Sequence, residues 1–264
     1  MKKKLLLGGL ALIIIVQLFI AYHITPDMST IGKAPHKVTS VYGITVPMGG
    51  INMTTVGVSW GIILFLVLLS CYVQFRLKVI PGRLQVVFEF IVESFDKVCH
   101  ETLGDKGRAF MPYITTLFLF ILCCNWIGII PFIEEPTRDL NTTLGLGIIA
   151  FCVSHLAAIH YKGMKRYIAD YFEPMFEIKG KKIPNIFFAP LNVIGEFGKL
   201  VSHSFRLYGN ILGGAIIIQV VSNLTRYLFL PVGLSLFFGL FVGAVQAFVF
   251  SLLALTYIAV LVEG

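Results

Sequence analysis

Residues 56–72, 110–131, 142–161 and 231–262 each run without a single Asp, Glu, Lys or Arg. A helix of about 20 apolar residues spans the ~30 Å hydrocarbon layer of a bilayer. Only helices and closed barrels keep every backbone polar group bonded in that layer. A barrel would show alternating segments of about ten residues, and these runs are continuous. The chain therefore reads as an all-α membrane protein with five to six membrane helices. Composition agrees: 13% of residues are charged, against about 25% in soluble domains.

The net charge of +7 raises nucleic acid as a partner. The basic residues gather in the connections between apolar runs, where they set orientation instead, so nucleic-acid binding is set aside. The five cysteines, Cys71, Cys99, Cys123, Cys124 and Cys152, lie mostly inside apolar runs and have no metal-ligand spacing. They read as small buried hydrophobes, and no cofactor or metal is called for.

Met1-Lys2-Lys3-Lys4 precedes an apolar run to Tyr22. Residues 1–22 are either a signal-like segment or an extra first span with its amino end inside, and the span reading fits the length better. Residues 23–55 are rich in Pro, Gly and Thr and read as an external loop. Residues 56–264 form one membrane domain. Its first span, Val56–Tyr72, is followed by Arg76, Lys78 and Arg83, which belong inside. From Leu84 to Leu103 the pattern turns amphipathic: Leu84, Val87, Phe88, Ile91, Val92, Phe95 and Val98 share one face. That helix lies on the inner membrane surface, packs on protein, or does both. Phe110–Pro131 and Thr142–Tyr161 follow as spans. They are separated by an outer loop carrying Glu134, Glu135, Arg138 and Asp139. An inner connection then carries Lys162, Lys165, Arg166, Lys179, Lys181 and Lys182.

Two long antiparallel helices close the chain, Pro190–Arg226 and Pro231–Glu263. The first would be about 55 Å long at ~1.5 Å per residue. A straight helix of that length must tilt by roughly 55° to stay within the layer, beyond the ~0–40° usual for spans. Within it stands Arg206, which costs at least ~2.5–3.5 kcal/mol near a bilayer centre. A leucine would insert better, so the arginine marks a function. Lys199, Ser202, His203, Arg206, Asn210 and Gly213 recur every three or four positions and share a face. Gly239, Gly243, Gln246 and Phe250 do the same on the last helix. Arg206 and Gln246 lie at similar distances from the turn near residue 228, so a hairpin brings them to similar depth. Glu196, the nearest acid, lies toward the inner end, so the missing anion should come from a partner. The glycines Gly209, Gly213, Gly214, Gly239 and Gly243 permit close helix approach, within the chain or to that partner.

These blocks resemble subunit a of the F-type ATP synthase. The resemblance covers residues 50–264. It is carried by Ile80-Pro81-Gly82-Arg83-Leu84-Gln85, by Asn125 with Ile130-Pro131, and by Pro136-Thr137-Arg138-Asp139-Leu140-Asn141-Thr142-Thr143-Leu144. Asn192-Val193-Ile194-Gly195-Glu196, Ser204-Phe205-Arg206-Leu207-Tyr208-Gly209-Asn210 and Val245-Gln246-Ala247-Phe248-Val249-Phe250 complete it. The resemblance implies a multi-pass stator subunit of the bacterial inner membrane. Such a subunit forms two half-channels against the c-ring, touches the b-subunit peripheral stalk and serves the catalytic head indirectly, without catalysing anything itself. It implies that Arg206 meets each ring carboxylate, with Asn210 and Gln246 near it. Asn125, Asp139 and Asn141 would then belong to the outer half-channel, and Glu196, Lys199 and Ser202 to the inner. His203 is a proton relay or a packing residue. Many members carry an acid at the position of Ala215 and an ionisable residue at that of Gly239. Both positions are inert here, which leaves H+ and Na+ open as the coupling ion.

Three other classes are weaker. A membrane enzyme would need a catalytic motif, and no HExxH, GxSxG or phosphate loop occurs. A secondary transporter would show internal repeats and broken helices in both halves. A structural anchor gives Arg206 no purpose.

Overall fold

Where the sequence runs apolar, the backbone closes into helix. The computed structural model describes residues 37–38, 40–41, 44–45, 51–78, 81–130, 133–170, 177–178, 181–182, 189–225 and 230–263. Residues 1–22 and the turn expected near residue 228 lie outside them. Five helical runs among the described residues are long and apolar enough to cross a membrane. Among the described residues, extended strands occur as two-residue ladders in connections. Lys37–Val38 pairs with Ile51–Asn52, Ser40–Val41 with Ile44–Thr45, and Glu177–Ile178 with Lys181–Lys182.

Helix α1 spans Met53–Phe75. Asn52 fixes its start: its Oδ1 accepts the Thr54 N–H at 3.1 Å, satisfying one free donor of the first turn. The helix begins three residues before the expected Val56 because this cap lies there. It buries only Thr55 and Ile62 and exposes Trp60, Leu64, Phe65 and Leu68. An apolar surface all round suits a helix surrounded by lipid.

Helix α2 spans Arg83–Leu103 and α3 spans Gly107–Trp126. The connection before α2 is tied by Gln85. Its amide donates to the Lys78 carbonyl at 3.0 Å and to Glu89 at 2.8 Å, and its Oε1 accepts the Lys78 N–H at 3.2 Å. Burial of the amphipathic helix changes along its length, and its second half packs on protein. Leu84, Val86, Val87 and Phe90 are exposed, whereas Phe95, Cys99 and Leu103 are buried. Phe95 packs on Phe118 at 4.9 Å and faces Phe248 at 6.2 Å between ring centroids.

Helix α4 is Leu140–Lys162 and α5 is Met164–Asp170. Asp139 caps α4 by accepting the Asn141 N–H at 3.0 Å. Gly163, at φ 82°, breaks the chain between α4 and α5 in a conformation that costs glycine nothing. The Lys162–Asp170 ion pair at 2.7 Å closes that corner.

Helix α6, Ala189–Leu224, is 36 residues long, about 54 Å at ~1.5 Å per residue. The last run differs from the uninterrupted helix expected. Helix α7, Leu230–Leu236, passes into a π-helical segment, Phe237–Val242, before α8, Gly243–Glu263. Side chains of α3 donate to carbonyls in this segment and just after it, as described below.

The described residues pack as two compact units. One holds those up to Leu69 with Phe120–Asn141 and Tyr208–Ala247. The other holds Ser70–Leu119, Thr142–Leu207 and Phe248 onward. In the second unit Gly107 lies directly against the Cys99 carbonyl, with no room for a Cβ. Gly107→Ala should cost about 1–3 kcal/mol through overpacking. A lowered unfolding midpoint in detergent checks this, with Gly145→Ala as control, because a Cβ there meets nothing within 4 Å.

Candidate functional site

In the first unit a mainly apolar cavity of about 440 Å³, with several polar side chains in its lining, is walled by the end of α3, the following connection, the second half of α6 and the α7–π segment. A water occupies about 30 Å³ of liquid, so the space accommodates several. Asn125 builds one wall. Its Nδ2 donates to the Gly243 carbonyl at 2.8 Å, and its Oδ1 accepts the Thr137 hydroxyl at 2.6 Å. Trp126 Nε1 donates to the Leu240 carbonyl at 3.2 Å. These two donors serve the carbonyls around the π segment. Glycines make the fit possible. A Cβ on Gly243 would lie 3.0 Å from Asn125 Cβ, one on Gly239 2.9 Å from Ile129, and one on Gly214 2.9 Å from Phe238.

Glu135 and Arg138 are the charged residues of that lining. The Glu135 carboxyl occupies the space where Gly128 lacks a side chain. Burial pushes its pKa above the usual carboxylate value, while Arg138 and its own backbone N–H pull it back. Ala215 and Gly239 line the same cavity. Of the residues expected at the outer side, Asn125 lines this space. Asp139 and Asn141 do not, and Asp139 serves the α4 cap.

In the same unit Asn210 Nδ2 donates to Gln246 Oε1 at 2.6 Å, which sets the register of α6 against α8. Gln246 is buried, and its Nε2 has no hydrogen-bond partner. The glutamine expected beside Arg206 is thus bonded to Asn210, one helical turn further along.

In the second unit the polar stripe of α6 divides. Ser202 and Arg206 are exposed, whereas His203 is 2% exposed. His203 lies about 60° round the helix from Arg206 at ~100° per residue, on the side where Ser204 and Leu207 are also buried. Its ring packs on Phe250 at 3.7 Å and faces Tyr257 at 5.5 Å between centroids. Neither ring nitrogen has a hydrogen-bond partner. Among the described residues no carboxylate lies within the 4.0 Å of an ion pair with Arg206. Glu196 pairs with Lys199 instead, at 2.6 Å. A small cavity beside them is lined by Ser154, Glu196, Lys199, His203 and Tyr257. Ser204 sits against Gly147, which has no room for a Cβ.

Three features escaped the sequence: the placement of Glu135, the bond between His155 and Tyr167 at 2.8 Å, and the polar wall of Gln219, Ser222 and Ser235. Glu135 was visible as an acid in the outer loop. The missing signal was its partner, a glycine seven positions earlier that leaves room for it.

Comparison with known proteins agrees with this architecture. The ATP synthase A chain family profile matches residues 53–259. The chain is 36% identical over 200 residues to ATP synthase subunit a of Geotalea daltonii, covering 76% of this chain and 83% of that protein. It is 36% identical over 218 residues to ATP synthase subunit a of Moorella thermoacetica, covering 82% and 94%. A match of that length, reaching from α1 to α8, places this integral membrane chain in the ATP synthase A chain family.

Proposed function

We propose that this chain carries its ions through two half-channels that end on either side of Arg206, against a ring of c subunits bearing one carboxylate per hairpin. As a family member it is the ion-translocating, non-catalytic stator subunit of the membrane sector, and ATP chemistry belongs to the catalytic head. The observation that carries the finer reading is the exposed Arg206, with no ion-pair carboxylate among the described residues. An arginine stays charged throughout the relevant pH range. Its charge is too costly in lipid to leave uncompensated, so a carboxylate from outside the chain fits it.

The face around Arg206 supports an approaching helix. Gly195, Gly198, Gly209 and Gly213 have nothing within 4 Å of an added Cβ, whereas Gly214, Gly239 and Gly243 are filled by this chain's own side chains. Small residues let a neighbouring backbone come close. A carboxylate brought within ~4–6 Å of the guanidinium has its pKa lowered by about 1–3 units, which favours release of its ion. The same fixed charge repels a cation trying to pass directly, so ions travel round with the ring. Asn125 belongs to the outer path, with Asp139 and Asn141 near its mouth. Glu196, Lys199 and Ser202 belong to the inner path, with Asn210 and Gln246 beside the arginine's turn. The buried contact of His203 with Phe250 favours packing over relay for that residue. The b-subunit stalk is the second membrane partner, and the lysine-rich connections orient the chain in a bacterial inner membrane.

Arg206→Ala should abolish ion-coupled ATP synthesis in membrane vesicles, a loss of at least about a hundredfold, while the assembled complex is recovered intact. Coupling at the wild-type rate would refute the role given to Arg206. Inert Ala215 and Gly239 keep Na+ beside H+ as the ion. ATP hydrolysis by the intact complex, measured with and without sodium at neutral and high pH, separates them: sodium stimulation identifies Na+, and its absence leaves H+.

A further inference from the structure

We propose that Glu135 is the proton-transferring group of the outer cavity, taking the place left by inert Ala215 and Gly239. The inference rests on the reading of that cavity as the outer half-channel. Three observations carry it. Glu135, Ala215 and Gly239 line one continuous space, so an acid on the connection faces the two walls where a titratable side chain is missing. The carboxyl is seated in a made place, because Gly128 yields the volume its side chain would fill. The residues that follow it are anchored: Pro136 and Thr137 are buried, and Thr137 is bonded to Asn125 at 2.6 Å.

The surroundings suit transfer rather than permanent charge. Arg138 is on the same turn and Glu134 is adjacent in sequence. The α3 end contributes Asn125, α6 contributes Asn210, Gln219 and Ser222, and α7 contributes Ser235, none of them titratable. Burial raises the carboxyl's pKa, Arg138 lowers it, and Glu134 adds a smaller upward push. An acid brought toward the working pH can both accept and give a proton. The step is balanced: the carboxylate takes H+ from hydronium at the outer side, forming a carboxylic acid and water. It then returns that H+ to a water on the cavity side and is a carboxylate again.

The test uses the whole ATP synthase in proteoliposomes, with sodium-free buffers, and measures passive proton flux and ATP-driven pumping against outer pH. Glu135→Gln should lower both by about a hundredfold, the lower end of the range for a positioned acid–base group, with the assembled complex recovered at the wild-type level. Glu135→Asp should recover most of the flux. Glu135→Gln combined with Ala215→Glu should restore conduction with a displaced pH profile, because it returns an acid to another wall of the same cavity. Wild-type flux in Glu135→Gln overturns the proposal. So does a loss that Ala215→Glu fails to rescue and that leaves the pH profile of the residual flux unchanged, since that is a structural effect. A flux that requires sodium overturns it as well. Arg206→Ala measured alongside separates the two readings. If it uncouples while Glu135→Gln behaves as wild type, only the role of Glu135 falls. If Arg206→Ala stays coupled, the half-channel reading falls whatever Glu135 does.

Discussion

The hydrocarbon layer offers no water to a backbone N–H or C=O, and the rest of this structure follows from that lack. Regular helix satisfies the requirement without help. Where the backbone departs from it, side chains can add the bonds. The π segment at Phe237–Val242 is such a departure, and Asn125 and Trp126 reach the Gly243 and Leu240 carbonyls beside it. Asn125 also receives the Thr137 hydroxyl, so one amide supports the π turn and holds the outer connection down. A buried hydrogen-bonded group of this kind is costly to remove, because its partners are then left unpaired. The cavity beside it exists because these contacts hold its walls apart while glycines bring them close.

Glycine serves two purposes here, and packing tells them apart. Gly107, Gly128, Gly147, Gly214, Gly239 and Gly243 are met by the chain's own atoms. They allow close packing within each unit. Gly195, Gly198, Gly209 and Gly213 on α6 meet nothing. Their spacing puts them on the same side of the helix as Arg206, so the same residue type that tightens one side of the helix leaves the other smooth.

Charge is handled with similar economy. Lys162 is paired with Asp170 and Lys199 with Glu196. Between Lys199 and Arg226 the sequence contains one charged residue, Arg206, and it has no ion-pair partner among the described residues. Neutralising a guanidinium would be simple with an acid one turn away, and the helix carries none there. That omission sits beside the open glycine face and gives the site its direction.

The sequence by itself determined the spans and their type. Continuous apolar length selects helix, and charge placement limits where each helix ends, so Thr142–Tyr161 was realised as Leu140–Lys162 and Pro190–Arg226 as Ala189–Leu224. It also determined that Arg206 is costly and lacks a near acid, since both follow from local composition. Tertiary structure decided what depends on distant residues. Which glycines are filled, the π turn that two side chains of α3 support, the burial of His203 against Phe250 and the seating of Glu135 against Gly128 all come from contacts across the fold. Periodicity reports which face a residue shares. It carries no information about which neighbour covers that face, because that neighbour is chosen by packing between segments as far apart as Asn125 and Gly243.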